Sequence, residues 1–185
     1  TGAGRAILNA DDARVLAMHA RSAAPVTTYG LSMSADVRAT DVRLDDLARP
    51  SFTMHHRDEA VPVALQVSGA HMVSNALGAA AVALSLGLPI ENVGRLLSAA
   101  DARSRWRMEV STSPDGVVVI NDAYNANPES MAAALRALAA MTTTGRRWAI
   151  LGEMRELGPD SADLHAGVGR VAASLNLDRV VAVGE

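Results

Sequence analysis

From Met108 onward the sequence alternates between short apolar runs and helix-forming stretches, and this alternation restricts the architecture more than any other feature. The segments read MEVSTS, VVVIND, PESMAAALRALAAM, RRWAILG, SADLHAGVGRVAASL and RVVAVG: strand, turn, strand, helix, strand, helix, strand. Buried strands separated by helices fold as a parallel sheet with right-handed crossovers. The C-terminal part is therefore predicted to be an α/β domain built on a parallel sheet.

The first hundred residues carry a different pattern. Arg5 to Asn9 is a short apolar strand, and Asp11 and Asp12 open a helical stretch through Val15, Leu16, Met18 and His19. Paired acids suit the positive end of a helix. Between Val26 and Ser68, ADVRATDVRL, SFTMHH and VPVALQVSG show β-branched residues in partial alternation, which predicts an antiparallel sheet of three or four strands. After Gly69, Val73, Leu77, Ala81 and Leu84 fall near helical spacing, and Gly87, Leu88 and Pro89 stop the helix. A second helix is predicted over 90–100, and the arginine-rich DARSRWR then leads into new strands. The expected division is 1–103 and 104–185, with a boundary near Arg103. A doubly wound domain would normally continue past Glu185 into another helix, so both ends read as cut points.

Composition removes several classes of function. A net charge of -3 without a basic stripe disfavours nucleic acid, whose binding needs a cationic field to release counterions. There is no cysteine, hence no disulfide framework or thiolate metal site. His55 and His56 are adjacent and point to opposite faces if SFTMHH is a strand, so no metal site is expected. No run of eighteen apolar residues and no signal-peptide layout occur, so no membrane span and a cytoplasmic location are expected. All 17 basic residues are arginine, which excludes lysine chemistry from this chain.

Four segments carry the candidate chemistry. In VVVINDAYNANPESM an apolar strand runs into a polar loop and a helix starting at Pro128, and ligands of open α/β sheets sit at such strand ends. Asp122 is placed to accept from a ribose hydroxyl, and Asn125 and Asn127 offer amides, although Asn127 also fits a helix cap worth about 1 kcal/mol. In GAHMVSNAL, His71 and Asn75 are four apart at a helix start, where side chains and amides can meet a purine or phosphate. A buried structural histidine is the alternative for His71. In RWRME an arginine could reach a terminal phosphate through charge-assisted bonds. In LGEMRELGPDSADLH, Glu153, Glu156 and His165 could orient an incoming ammonium, or serve as a cap and surface charges.

These segments, in this order, resemble the Mur ligase family, and DAYNANPESM with LGEMRELG and His165 resemble its D-alanyl-D-alanine-adding branch. The resemblance runs from LNADD through GAHMVSNALGAAAVA and RWRME to LGEMRELG, nearly the whole chain. It implies the second half of a central ATPase domain followed by about half of a Rossmann-like C-terminal domain. Asn75 matches the second asparagine of the family's adenine-contact motif, His71 its histidine, Arg107 the phosphate-side arginine and Asp122 the ribose aspartate. Asn9 lies in the NADD loop, and Tyr124, Asn125, Asn127 and Pro128 match the loop near ATP and the incoming dipeptide. Met72 departs from the amide usual in the motif, and a thioether offers only a weak acceptor.

The implied activity is ATP-dependent ligation of D-alanyl-D-alanine to UDP-MurNAc-tripeptide through an acyl phosphate, in a full-length enzyme expected to be a monomer. The implied cofactors are ATP and Mg2+, the magnesium ligands being expected upstream. The family's phosphate-cradling lysine and modified lysine are not in this chain, so the chain alone is expected to be inactive. Two other readings are another amino-acid ligase of the same superfamily and a non-catalytic Rossmann-like binding module. No GxGxxG turn follows any strand to favour the latter.

Overall fold

The computed structural model describes residues 4–101 and 106–184. The boundary expected near Arg103 lies outside the described residues. The chain divides into two compact units: Thr1–Arg43, Pro50–Gln66 and His71–Ala100 form one, and Leu44–Arg49, Val67–Ala70 and Asp101–Glu185 the other. Among the described residues no helix is long and apolar enough to cross a membrane.

The first unit is built on a sheet in the order β1 (Ala6–Asn9), β2 (Val26–Gly30), β3 (Val37–Leu44), β4 (Pro50–His56) and β5 (Glu59–Ala64). The antiparallel arrangement expected from Val26 onward is found between β4 and β5 but not between β2 and β3, which are parallel, as are β1 and β2. The link limits how far β2 and β3 can pair. The chain between Gly30 and Val37 is too short to carry β3 back to the start of β2, since a full parallel crossover takes about a dozen residues. Only Tyr29↔Val37 and Gly30↔Arg38 are therefore in register. Beside Thr28 a side chain replaces the ladder: its N–H and Oγ1 each donate to Asp36 Oδ2 at 2.8 Å, and Asp36 N–H returns a bond to Oγ1 at 3.0 Å.

Helix α1 (Ala13–Leu16) is capped by the Asp12 carboxylate, which accepts from the Arg14 and Val15 amides. Helix α2 (Met72–Ser85) packs on β1 and β2, and α3 (Ile90–Ser98) packs on β5. The end of α2 follows its sequence signal: Gly87 adopts φ 88°, its N–H donates to Leu84 O, and Leu88 N–H reaches back to Ala83 O. That pair of bonds is the Schellman arrangement, which a left-handed glycine permits. Val73, Leu77, Ala80 and Ala81 of α2 are buried, as are Val37, Phe52 and Met54 of the sheet. Small residues set the spacing, because a Cβ at Gly94 would meet Val61 Cγ2 at 2.9 Å.

In the second unit β6 (Glu109–Thr112) and β7 (Val118–Asn121) form an antiparallel hairpin, closed by a turn in which Gly116 takes φ 80°. Helix α4 (Pro128–Ala140), β8 (Trp148–Leu151), α5 (Ser161–Ser174) and β9 (Arg179–Ala182) follow. The parallel arrangement predicted for this region is present where α5 carries the chain from β8 to β9; the hairpin strands instead run antiparallel. Leu135, Ala149, Met154, Val168 and Ala172 form the core, drawn from both helices, β8 and the loop after it.

The loop Leu44–Arg49 belongs to this unit and is organised by Asp45. Its carboxylate accepts from Leu47 N–H at 3.0 Å, Arg49 N–H at 2.8 Å and Arg49 Nε at 2.7 Å, while Asp46 O accepts from Thr142 N–H at 3.0 Å. Burial pushes the Asp45 carboxyl up, but the Arg49 side chain and the Arg49 and Leu47 amides outweigh it and hold it below its ordinary 3.8. A depressed native value means the carboxylate stabilises the fold at neutral pH and stops doing so as pH falls through that value. The chain is thus expected to unfold at higher temperature than its Asp45→Asn variant at neutral pH, the gap closing below about pH 3.8. Melting curves across that range check this; a gap independent of pH would count against it.

Candidate functional site

Strand β7 delivers the loop from Asp122 to Asn127, and α4 begins where the loop ends. Asn127 Oδ1 accepts from Ser130 N–H at 2.8 Å and Ser130 Oγ accepts from Asn127 N–H at 3.1 Å, a reciprocal cap with Pro128 in the first turn. Asn125 Oδ1 accepts from Ala126 N–H at 2.9 Å. Both loop asparagines thus use their carbonyl oxygens to shape the backbone.

Arg107 sits between two residues in the left-handed region, Trp106 at φ 63° and Met108 at φ 46°. Side chains with a Cβ seldom adopt that conformation, so something must hold it. Three hydrogen bonds do: Met108 N–H donates to Asp122 Oδ1 at 2.9 Å, Tyr124 N–H to Trp106 O at 3.0 Å, and Trp106 N–H to Glu109 Oε2 at 3.2 Å. The Arg107 guanidinium then lies 4.2 Å from the centroid of the exposed Tyr124 ring, a cation–π contact. Arg107, Asp122 and Tyr124 are therefore brought together. Chemically they present a guanidinium suited to phosphate oxygens and a carboxylate suited to hydroxyls.

The acidic loop after β8 is organised differently. Met154, 2% exposed, donates its N–H to His165 Nε2 at 3.0 Å, and His165 Nδ1 faces Ser161 O at 2.8 Å. An amide can only donate and a carbonyl can only accept, so the ring is neutral with its proton on Nδ1. Both nitrogens are spent within the chain, and His165 has none to offer a substrate in this arrangement. Glu153 pairs with Arg155 at 3.5 Å, while Glu156 is exposed in the left-handed region at φ 63°.

Asn9, His71 and Asn75 belong to the first unit. Asn9 ends β1 and accepts the Asp11 N–H at 2.9 Å. His71 is half-buried at the start of α2, and Asn75 is exposed one turn on. Asn75 Nδ2 donates to Met72 Sδ at 3.6 Å, so the methionine that replaces the usual motif amide orients the neighbouring asparagine. Among the described residues no group of three or more His, Asp or Glu is placed to hold a metal ion.

Two family profiles match in sequence order: the Mur ligase middle domain over residues 1–83 and the Mur ligase glutamate ligase domain over 106–185. The chain belongs to the Mur ligase family. It is 50% identical over 185 residues to UDP-N-acetylmuramoyl-tripeptide--D-alanyl-D-alanine ligase of Mycobacterium tuberculosis, a match covering 98% of this chain and 36% of that protein. The Escherichia coli protein of the same name is 32% identical over 152 residues, covering 82% of this chain and 33% of that one. Among solved structures, MurF from Acinetobacter baumannii superposes with a TM-score of 0.90 at 31% identity, covering all of this chain and 40% of that one. This Mur ligase chain thus spans roughly a third of the length of those relatives.

Sequence reasoning missed Asp11 in this Mur ligase. Its carboxylate accepts from Leu31 N–H at 2.7 Å and Ser32 N–H at 2.9 Å, tying the loop after β1 to the end of β2. A Cβ at Gly30 would stand 2.7 Å from that carboxylate, at a φ of 155°. The signal was present in the bare glycine ending a β-branched strand, but its partner lies some twenty residues upstream.

Proposed function

We propose that the chain is part of an ATP-dependent ligase that joins D-alanyl-D-alanine to UDP-MurNAc-tripeptide in the cytoplasm. Residues 1–103 would be the later part of the central ATPase domain and 104–185 the first part of the C-terminal domain. In the full-length enzyme the tripeptide's terminal carboxylate attacks the γ-phosphorus of ATP and ADP leaves. The dipeptide amine then attacks the acyl carbon, losing a proton, and inorganic phosphate departs.

The observation that carries the reading is the presentation of Arg107 by Asp122 and Tyr124 at the mouth of the β6–β7 hairpin. Phosphoryl transfer asks little covalent chemistry of a protein and much positioning and charge stabilisation. Arg107 would meet phosphate oxygens, and Asp122 would accept from the ribose with the oxygen that Met108 leaves open. Asn75, with His71 and Asn9, would contact the base and its surroundings. Tyr124 and the Asn125–Asn127 loop would border the dipeptide together with Glu156, with His165 holding the acidic loop in shape. When bound, magnesium would neutralise phosphate charge, through ligands other than the residues described.

Asp122→Ala in the full-length ligase is expected to raise the apparent KM for ATP about tenfold or more, through loss of one charged hydrogen bond of roughly 1.5–3 kcal/mol. Steady-state kinetics with the tripeptide precursor and D-alanyl-D-alanine measure it. An unchanged KM for ATP would remove Asp122 from the nucleotide site, and failure to use those two substrates in the parent enzyme would overturn the reaction itself.

A further inference from the structure

The first unit holds a second concentration of charge, in a cleft along its sheet. A cleft of about 340 Å3 is lined by Arg5, Thr27, Asp36, Arg38, His56 and Arg57. Arg5 immediately precedes β1, about 13 Å along the strand from Asn9, whereas Arg38 pairs with Gly30 at the end of β2, so the lining is drawn from along the strands and not from one end of them.

The charges in the cleft do not balance. Three guanidiniums face one carboxylate, and that carboxylate is committed to Thr28 through two bonds of 2.8 Å. Among the described residues no carboxylate forms a salt bridge with Arg5, Arg38 or Arg57. Arg5 donates instead to Thr27 Oγ1 at 3.0 Å, and His56 Nδ1 donates to Asp36 O at 3.2 Å. Arg38 is the sharpest case: its Nε is shut off from solvent and has no hydrogen-bond partner among the described residues. A buried, charged donor left unsatisfied is costly and uncommon in folded proteins. A small group with several acceptors, no donor and negative charge suits the excess of guanidiniums lining the cleft, and the planar arginine fork matches the oxygens of phosphate.

We propose that this cleft binds a phosphate-type oxyanion, either inorganic phosphate or the terminal phosphate of a larger ester, as a site separate from the nucleotide contacts. Its elements come from β1, β2, β3 and the β4–β5 turn, so occupancy would also tie the two ends of the sheet together.

Calorimetric titration of the chain with inorganic phosphate, glycerol phosphate and ADP tests this. Saturable binding of inorganic phosphate to one site is expected, weakened about tenfold or more in Arg38→Gln and in Arg57→Gln, as removal of one charge-assisted contact requires. Asp122→Asn should bind phosphate unchanged, and circular dichroism confirms that each variant is folded. Glycerol phosphate binding as well as phosphate would assign the site to phosphate esters, and its exclusion would assign it to the free anion. Absence of saturable phosphate binding overturns the proposal. Binding that survives both arginine substitutions, or that disappears in Asp122→Asn or competes with ADP, overturns it too, by placing the anion among the nucleotide contacts.

Discussion

Alanine at position 107 is expected to lower turnover of the full-length ligase by about a hundredfold, the loss typical when one preorganised donor to developing negative charge is removed. The magnitude rests on geometry. Arg107 is held between two left-handed residues by hydrogen bonds that involve Asp122, Tyr124 and Glu109, so its charge is prepositioned before substrate arrives. Arg107→Lys keeps the charge but loses the planar fork, and should recover only part of the rate. Tyr124→Leu removes the stacking partner at 4.2 Å and is expected to cost much less, since an exposed cation–π contact contributes about 0.5–1 kcal/mol. Quenched single-turnover measurement of ADP formation separates this step from product loss. Normal turnover in Arg107→Ala would end its assignment to phosphoryl transfer.

His165→Ala is expected to destabilise the second unit by about 2–3 kcal/mol, because it strips the acceptor from a buried amide as well as the donor from Ser161 O. Met154 is the residue at stake: it is 2% exposed, packs with Leu135, Ala149, Val168 and Ala172, and is tethered through its own N–H to the ring. Chemical denaturation of the chain gives the stability change. Nitrogen-15 spectra of the imidazole give an independent check, since only the Nδ1-protonated neutral tautomer satisfies both contacts. Observation of the other tautomer, or an alanine variant as stable as its parent, would show that the ring does not latch this loop.

The sequence and the fold agree most closely where the relevant chemistry is local. Gly87 before Leu88 and Pro89 marks the end of α2, and Asn127-Pro128 marks the start of α4, because a cap and its partner lie within a few residues. Partner direction is another matter. Alternation shows which face of β2 or β3 is apolar, but it does not show that the two run parallel, and the short link between them sets only how little they overlap. The loop residues of the candidate site were legible as types and positions. Their mutual engagement was not, since Asp122 meets a backbone amide fourteen residues away and His165 meets one eleven away. Nothing in a methionine's identity announces that its N–H needs a partner. The left-handed Trp106 and Met108 were equally silent, as neither is the glycine or asparagine that usually marks such a conformation.

The narrow overlap between β2 and β3 leaves the five-stranded sheet with a seam only two backbone rungs wide, reinforced by one aspartate and one threonine acting as surrogate rungs. The β1–β2 portion on one side and the β4–β5 hairpin on the other can therefore differ in twist without tearing a long ladder. Beyond the packing of α2, the seam itself leans on a hydroxyl and a carboxyl, groups that no pattern of apolar residues would single out.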